Sequence, residues 1–157
     1  MSNNGHTIHS VRAFHEAFGH PAPSKPTVSE RGIRELRVKL IAEELGELCL
    51  ALGVSLHLHV DVQKSDEIYF KAVAVTPDEK VDLVEAADAL ADLDYVVQGS
   101  NLVFGLPAEA LAAEVHRSNM SKLGADGLPI RREDGKIMKG PNYSPPDLAP
   151  IIIAAGL

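Results

Sequence analysis

Two stretches of this chain decide its fold: Ile41-Ala42-Glu43-Glu44-Leu45-Gly46-Glu47-Leu48 and Val84-Glu85-Ala86-Ala87-Asp88-Ala89-Leu90. Each holds a pair of acids at i,i+3, Glu44/Glu47 and Glu85/Asp88, which puts both carboxylates on one face of a helix. At about 100° per residue, Ile33, Leu36, Leu40, Leu48 and Ala51 share a sector of the first helix. Glu44 and Glu47 fall inside that sector and Glu43 sits at its edge. On the second helix Glu85, Asp88 and Asp92 lie beside Val81, Val84, Ala91 and Tyr95. Exposed acids should avoid an apolar sector. Gathering four like charges there is prohibitive unless a cation joins them, and hard divalent ions such as Mg²⁺ or Mn²⁺ take such oxygen ligands. The neighbouring acids Asp78, Glu79, Asp82 and Asp94 read as a solvated face, favoured near a helix N-terminus by the macrodipole.

Around this pair of helices the chain reads as one all-α domain, a bundle of four to five helices. Its core spans about 27–123, and a C-terminal extension covers about 124–157. A first helix is expected from about Thr7 to Phe18, stopped by Gly19, with Pro21 to Pro26 as a connector. Thr27-Val28-Ser29-Glu30 has the form of a capping box opening a long helix to Leu52-Gly53. Thr76-Pro77-Asp78-Glu79 has the same form and opens a third helix ending at Gly99. Pro107 starts a fourth helix that runs to about Lys122, with Gly124 as its stop. Between the second and third helices, Leu56-His57-Leu58-His59-Val60 alternates and Ala72-Val73-Ala74-Val75 favours a strand. A short hairpin therefore competes there with continued helix. His57 and His59 then share a solvated face. In the tail, Glu133-Asp134-Gly135-Lys136-Ile137 is expected to close a small β-ribbon, Asn142 to Pro146 is loop, and Pro150 to Leu157 is an apolar end.

Composition narrows the function. The 157 residues carry a formal charge of −7, which argues against nucleic-acid binding. No run is long and apolar enough to span a bilayer, and the start lacks the form of a signal peptide. The single Cys49 cannot form an internal disulfide, so a cytoplasmic protein is expected. The sequence contains no Glu-x-x-His pair, no closely spaced His or Cys set, no glycine-rich phosphate loop and no nucleophile elbow. What remains is an oxygen-only Mg²⁺ site on helices, whose usual task is phosphate chemistry.

Glu43-Glu44-x-x-Glu47 followed by Glu85-x-x-Asp88 resembles the E-E-x-x-E … E-x-x-D signature of the all-α nucleoside triphosphate pyrophosphatases. That group joins the MazG-like enzymes, phosphoribosyl-ATP pyrophosphohydrolases and dimeric dUTPases. The resemblance covers Leu36 to Lys122, and more loosely Val115 to Lys122 and Asp134 to Pro141, which resemble that group's distal phosphate- and base-contacting segments. The stretch between the two motifs is longer than a tight helical hairpin needs, leaving room for a lid or a subunit contact. The resemblance implies Mg²⁺, with Mn²⁺ as substitute, held by Glu44, Glu47, Glu85 and Asp88. It also implies hydrolysis of the α–β anhydride of a nucleoside triphosphate, dUTP first, then dCTP or a modified nucleotide. Glu43 is the candidate for orienting or deprotonating the attacking water, and Asp92 for a supporting partner or further ligand.

Phosphates left uncovered by metal need cationic donors, for which Lys122, Lys136 and Lys139 are candidates against the alternative of surface lysines. Asn119 has both donor and acceptor and would read a pyrimidine edge or a sugar hydroxyl, unless it serves as a cap. Tyr143 is a candidate for stacking on the base, whereas Phe14 and Phe18 suit packing of the first helix better. Two rival readings stand beside this one: phosphoribosyl-ATP hydrolysis with the same metals, and a non-catalytic helical module whose acids bind metal for stability. Apolar segments such as Leu102-Val103-Phe104, Leu106 and Ile151-Ile152-Ile153 would be sticky in a monomer. An isologous dimer, or two such dimers paired as a tetramer, is therefore expected.

Overall fold

In the computed structural model, which describes residues 8–61, 68–133 and 135–157, five α-helices and one small sheet follow one another. Helix α1 is Ile8–Phe18, α2 Arg31–Ala51, α3 Leu83–Val103, α4 Ala108–Met120 and α5 Ala149–Ala154. Strands β1 (Val54–Val60) and β2 (Ile68–Ala74) form an antiparallel pair between α2 and α3. The mostly helical architecture expected from the sequence is therefore present, with its ribbon in mid-chain. The expected start of α1 at Thr7 and the tail turn residue Asp134 lie outside the described residues.

Contacts divide the chain into two compact units. One comprises the described residues up to Ala13 with Ser29–Ser100, the other Phe14–Val28 with Asn101–Leu157. In the first unit, α2 begins at Arg31 after Glu30, and no side chain caps its first turn. The expected capping box does not form, because the Thr27 hydroxyl donates instead to the Lys25 carbonyl at 2.8 Å. Arg34 reaches back to the Ser29 carbonyl at 2.7 Å, and Arg31 pairs with Glu35 one turn on. Both side chains of that pair are solvated, so it adds little.

Helix α2 gives way to β1 at Gly53, which adopts φ +61°. The Gly53 carbonyl accepts from Val75 and Thr76 at 2.9 and 3.2 Å, so one residue anchors the far end of the hairpin. The register sets Val54, Leu56, Leu58 and Val60 against Ala74, Ala72, Phe70 and Ile68 on one face of the ribbon. That face is wholly apolar, and its outer half is open: Phe70 is 68% exposed and Ile68 70%. The other face carries Ser55, His57, His59, Tyr69, Lys71 and Val73, as the alternation in the sequence implied.

The third helix departs from expectation at both ends. Asp78–Lys80 form a single 3₁₀ turn, Val81 is extended, and α3 starts only at Leu83. Its cap is Asp82, whose carboxylate accepts from Val84 and Glu85 at 2.9 and 3.1 Å. Asp82 thus has a structural role in place of the solvated one expected. The Asp82 N–H donates in turn to the Ala51 carbonyl at 2.9 Å, joining the end of α2 to the start of α3. At the other end Gly99 is buried within the helix and does not stop it. The stop is Gly105 at φ +63°: its N–H reaches the Leu102 carbonyl and the Leu106 N–H reaches Asn101, the paired bonds of a Schellman motif.

In the second unit, Leu102 and Val103 are 2% and 1% exposed and form core. They are not the sticky surface expected, because the chain turns at Gly105 and Thr27 bonds back to the Phe104 carbonyl. Of the other apolar residues expected to be open, Ile153 is 63% exposed; in the first unit, Leu50, Leu83 and Val84 are 84%, 74% and 76% exposed. Helix α4 follows Pro107 and holds the segment after Tyr143. Ser118 donates to the Ser144 carbonyl at 2.9 Å, and Ser144 N–H donates to Ser121 Oγ at 3.0 Å. Arg117 grips both Glu114 oxygens at 2.7 Å, and Glu114 accepts the Asp147 N–H at 2.8 Å. The tail ribbon shrinks to one bridge, Arg131 with Ile137.

Two consequences follow for stability. A Cβ at Gly53 would overlap the Thr76 side chain in a left-handed conformation, so Gly53→Ala is expected to lose at least about 1 kcal/mol by chemical denaturation. The Arg117 hydrogen bonds, with help from Asp147 N–H, hold Glu114 down at about 2 from an ordinary 4.5. A depressed acid stabilises the fold above its unfolded pKa and loses that contribution as pH falls toward the folded one. Protection of the Asp147 amide, measured against its intrinsic exchange rate at each pH, should accordingly fall as pH drops from 4.5 toward 2, a dependence that Glu114→Gln removes.

Candidate active site

The six acids of interest all belong to the first unit, on two helices. Glu43, Glu44 and Glu47 stand on α2, and Glu85, Asp88 and Asp92 on α3. Small residues line the buried side of α3 next to its acids, with Ala86 5% and Ala89 2% exposed. The apolar sector inferred from Val81, Val84 and Ala91 is not the buried one, for Val84 and Ala91 face outward. Of the acids only Glu44 is half-buried, while the others are exposed.

Glu44 is the electrostatic focus. Burial first, then the charges of Glu47, Asp92, Glu43 and Asp88, raise its carboxyl above the ordinary range. Acids from two helices separated by the hairpin are thus close enough to feel one another. Glu47 and Glu85 also share a cleft of about 480 Å³ with Leu50, Ala51, Lys80 and Asp82. Lys80 was not among the sequence candidates. Its signal was available, since it is the one cation between Asp78 and Asp94.

The donor set suits a hard divalent ion in chemistry, being carboxylate oxygen throughout. The like-charge crowding around Glu44 is the strain that such an ion relieves. As the side chains stand, no group of three or more His, Cys, Asp or Glu among the described residues is gathered tightly enough to grip one. Holding such an ion would require the carboxylates to turn inward, a rotamer change open to exposed side chains.

The remaining candidates belong to the second unit. Lys122 donates to Asn119 Oδ1 at 2.8 Å, and Lys139 Nζ lies 4.3 Å from the centre of the Tyr143 ring. These pairs satisfy one another locally. The Lys136 carbonyl accepts from Arg132 N–H across the tail turn. Phe14 stacks on Phe18 with ring centres 4.3 Å apart and on His20 at 5.8 Å. His15 beside them is buried and its Nδ1 donates to the Pro21 carbonyl.

Comparison with known proteins agrees with the acidic signature. The family model for phosphoribosyl-ATP pyrophosphohydrolase matches residues 11–119. A solved crystal structure described as "a putative NTP pyrophosphohydrolase", from Exiguobacterium sp. 255-15, is 28% identical. It covers 99% of this chain and 95% of its own, with a TM-score of 0.41. No curated protein matches. The matched segment contains both acidic motifs and most of the chain, so this protein belongs to the phosphoribosyl-ATP pyrophosphohydrolase family and is a nucleotide pyrophosphohydrolase.

Proposed function

We propose that the chain hydrolyses a deoxynucleoside triphosphate, dUTP first, to its monophosphate and pyrophosphate in a Mg²⁺-dependent reaction. The observation that carries this reading is Glu44, crowded by Glu47, Glu43, Asp88 and Asp92 from two helices. Glu44, Glu47, Glu85 and Asp88 are the residues that would hold the ion, and Asp92 would support them. Bound there, Mg²⁺ or Mn²⁺ supplies charge neutralisation at the phosphates and a more acidic water. Glu43, exposed at the edge of the set, takes the proton of the attacking water. Water oxygen bonds to the α-phosphorus, the α–β bridging P–O bond breaks, and its electron pair leaves on pyrophosphate. Lys80 lines the cleft with Glu47 and Glu85 and would offset negative charge on a phosphate held there.

The family match favours a second reading, in which the substrate is phosphoribosyl-ATP and the same acids cleave the same kind of bond. Pyrophosphate release from a panel holding the common deoxynucleotides and phosphoribosyl-ATP, with Mg²⁺ and with EDTA, separates the two. EDTA is expected to silence whichever substrate is active, and orthophosphate as the product would overturn the α–β assignment. Glu47→Gln and Asp88→Asn should each lower kcat at least about a hundredfold without loss of helicity. Glu44→Gln should raise the metal-free melting temperature at neutral pH, because it removes an acid whose ionised form is disfavoured in the fold.

The reading includes self-association and a cytoplasmic location. A two-stranded ribbon is marginal alone in water, and its apolar face together with Leu50, Leu83 and Val84 lies open in the first unit. A second copy is the occupant that covers such a surface by symmetry. Light scattering should give at least twice the mass of one chain, and Phe70→Glu should reduce it. A single-chain mass for the wild type would overturn the dimer.

A further inference from the structure

Arg37 stands on α2 seven residues before Glu44, so at about 100° per residue the two side chains leave the helix in nearly the same direction, two turns apart. The residue is 7% exposed. Its Nε is closed off from solvent and has no acceptor. No hydrogen bond or ion pair of Arg37 occurs among the described residues, although other arginines of this helix, Arg31 and Arg34, are both bonded. Burial lowers its pKa, yet a guanidinium remains charged in proteins. A guanidinium N–H shut off from water without an acceptor costs free energy until an acceptor is supplied.

We propose that Arg37 is a substrate-binding residue that donates to phosphate oxygens of the nucleotide, at the end of the polyphosphate away from the scissile bond. This rests on the reading of the acids as the pyrophosphohydrolase centre. Charge decides between the possible acceptors: base carbonyls and sugar hydroxyls are neutral, and of the nucleotide's groups only phosphate offsets the guanidinium charge. The planar donor fork also fits two phosphate oxygens at once. Seven residues of helix rise about 10.5 Å, a separation that the long arginine stem and a polyphosphate bridge between them. The cations read from sequence do not fill this role as they stand, because Lys122 and Lys139 are engaged with Asn119 and Tyr143. Both candidate substrates carry the polyphosphate, so the assignment is indifferent to the base.

The test compares wild type with Arg37→Met and Arg37→Lys in three measurements: steady-state monophosphate release with Mg²⁺, the rise in melting temperature on adding inorganic pyrophosphate with Mg²⁺, and mass by light scattering. Arg37→Met is expected to raise KM about tenfold or more, the loss of one charge-assisted contact. It should also abolish the pyrophosphate-induced rise, while Arg37→Lys recovers part of both. Its ligand-free melting temperature should match or exceed that of wild type, since an unpaired buried charge is gone. Wild-type KM and a wild-type pyrophosphate response in Arg37→Met would overturn the assignment. So would a lower ligand-free melting temperature accompanied by a change in mass, which would place the counter-charge on a second copy. Should the wild type turn over nothing in the panel, the pyrophosphohydrolase reading of the acids fails. The pyrophosphate response still decides Arg37 in that case, and its absence in wild type overturns the proposal.

Discussion

Like charges drawn together around Glu44 are the constraint on which the rest of this molecule turns. Each carboxylate taken alone would be an ordinary solvated acid, costing nothing on a helix surface. Brought within reach of one another from α2 and α3, they raise the Glu44 carboxyl and repel one another. That repulsion is tolerable because most of the acids keep water, and only Glu44 is half-buried. On the proposed reading, the arrangement would trade stability in the metal-free chain for affinity toward a cation and the phosphates it carries. Arg37 is the opposite case on the same helix, a largely buried cation whose Nε is closed off from water and has no acceptor. Both features cost energy without a ligand, and one anionic, metal-bearing ligand would relieve both.

Holding the two acidic helices in place falls to a few backbone contacts at their junction. The hairpin leaves α2 at Gly53 and returns to the same residue through Val75 and Thr76. Asp82 then caps α3 with its side chain while its own N–H reaches the Ala51 carbonyl. One short segment thereby starts α3 and ties it to the end of α2. The acids Glu47 and Glu85, each near its end of that junction, share the cleft with Lys80 as a result. The cap explains why Asp82 belongs to the architecture even though it lines the same cleft as Glu47 and Glu85.

Local signals in this chain compete, and tertiary contacts choose between them. Thr27, Ser29 and Glu30 have capping-box form, yet Thr27 bonds to Lys25 and the helix starts uncapped. Thr76 offers an N-cap six residues before Asp82, yet only a 3₁₀ turn forms there. Gly99 and Gly105 are both available as helix stops. Gly99 is buried within α3, so helix continues through it, whereas Gly105 turns where the Lys25 carbonyl leaves no room for a Cβ. Such choices depend on what lies across the gap, which a pattern read along the chain does not contain.

The acidic pairs, their helical spacing, the mostly helical class and the stop of α1 at Gly19 were legible from the residues alone. Each is a short-range property: periodicity, like-charge spacing, or the backbone freedom of one glycine. The alternation in Leu56 to Val60 likewise foretold which face of the ribbon His57 and His59 would occupy. Only the folded chain decided that Leu102 and Val103 are core, that Arg37 is buried without a partner, and that Lys80 enters the acidic cleft. Burial of a charge and assembly of a site depend on which distant segments meet, and that is settled by packing and by the direction in which each helix begins and ends.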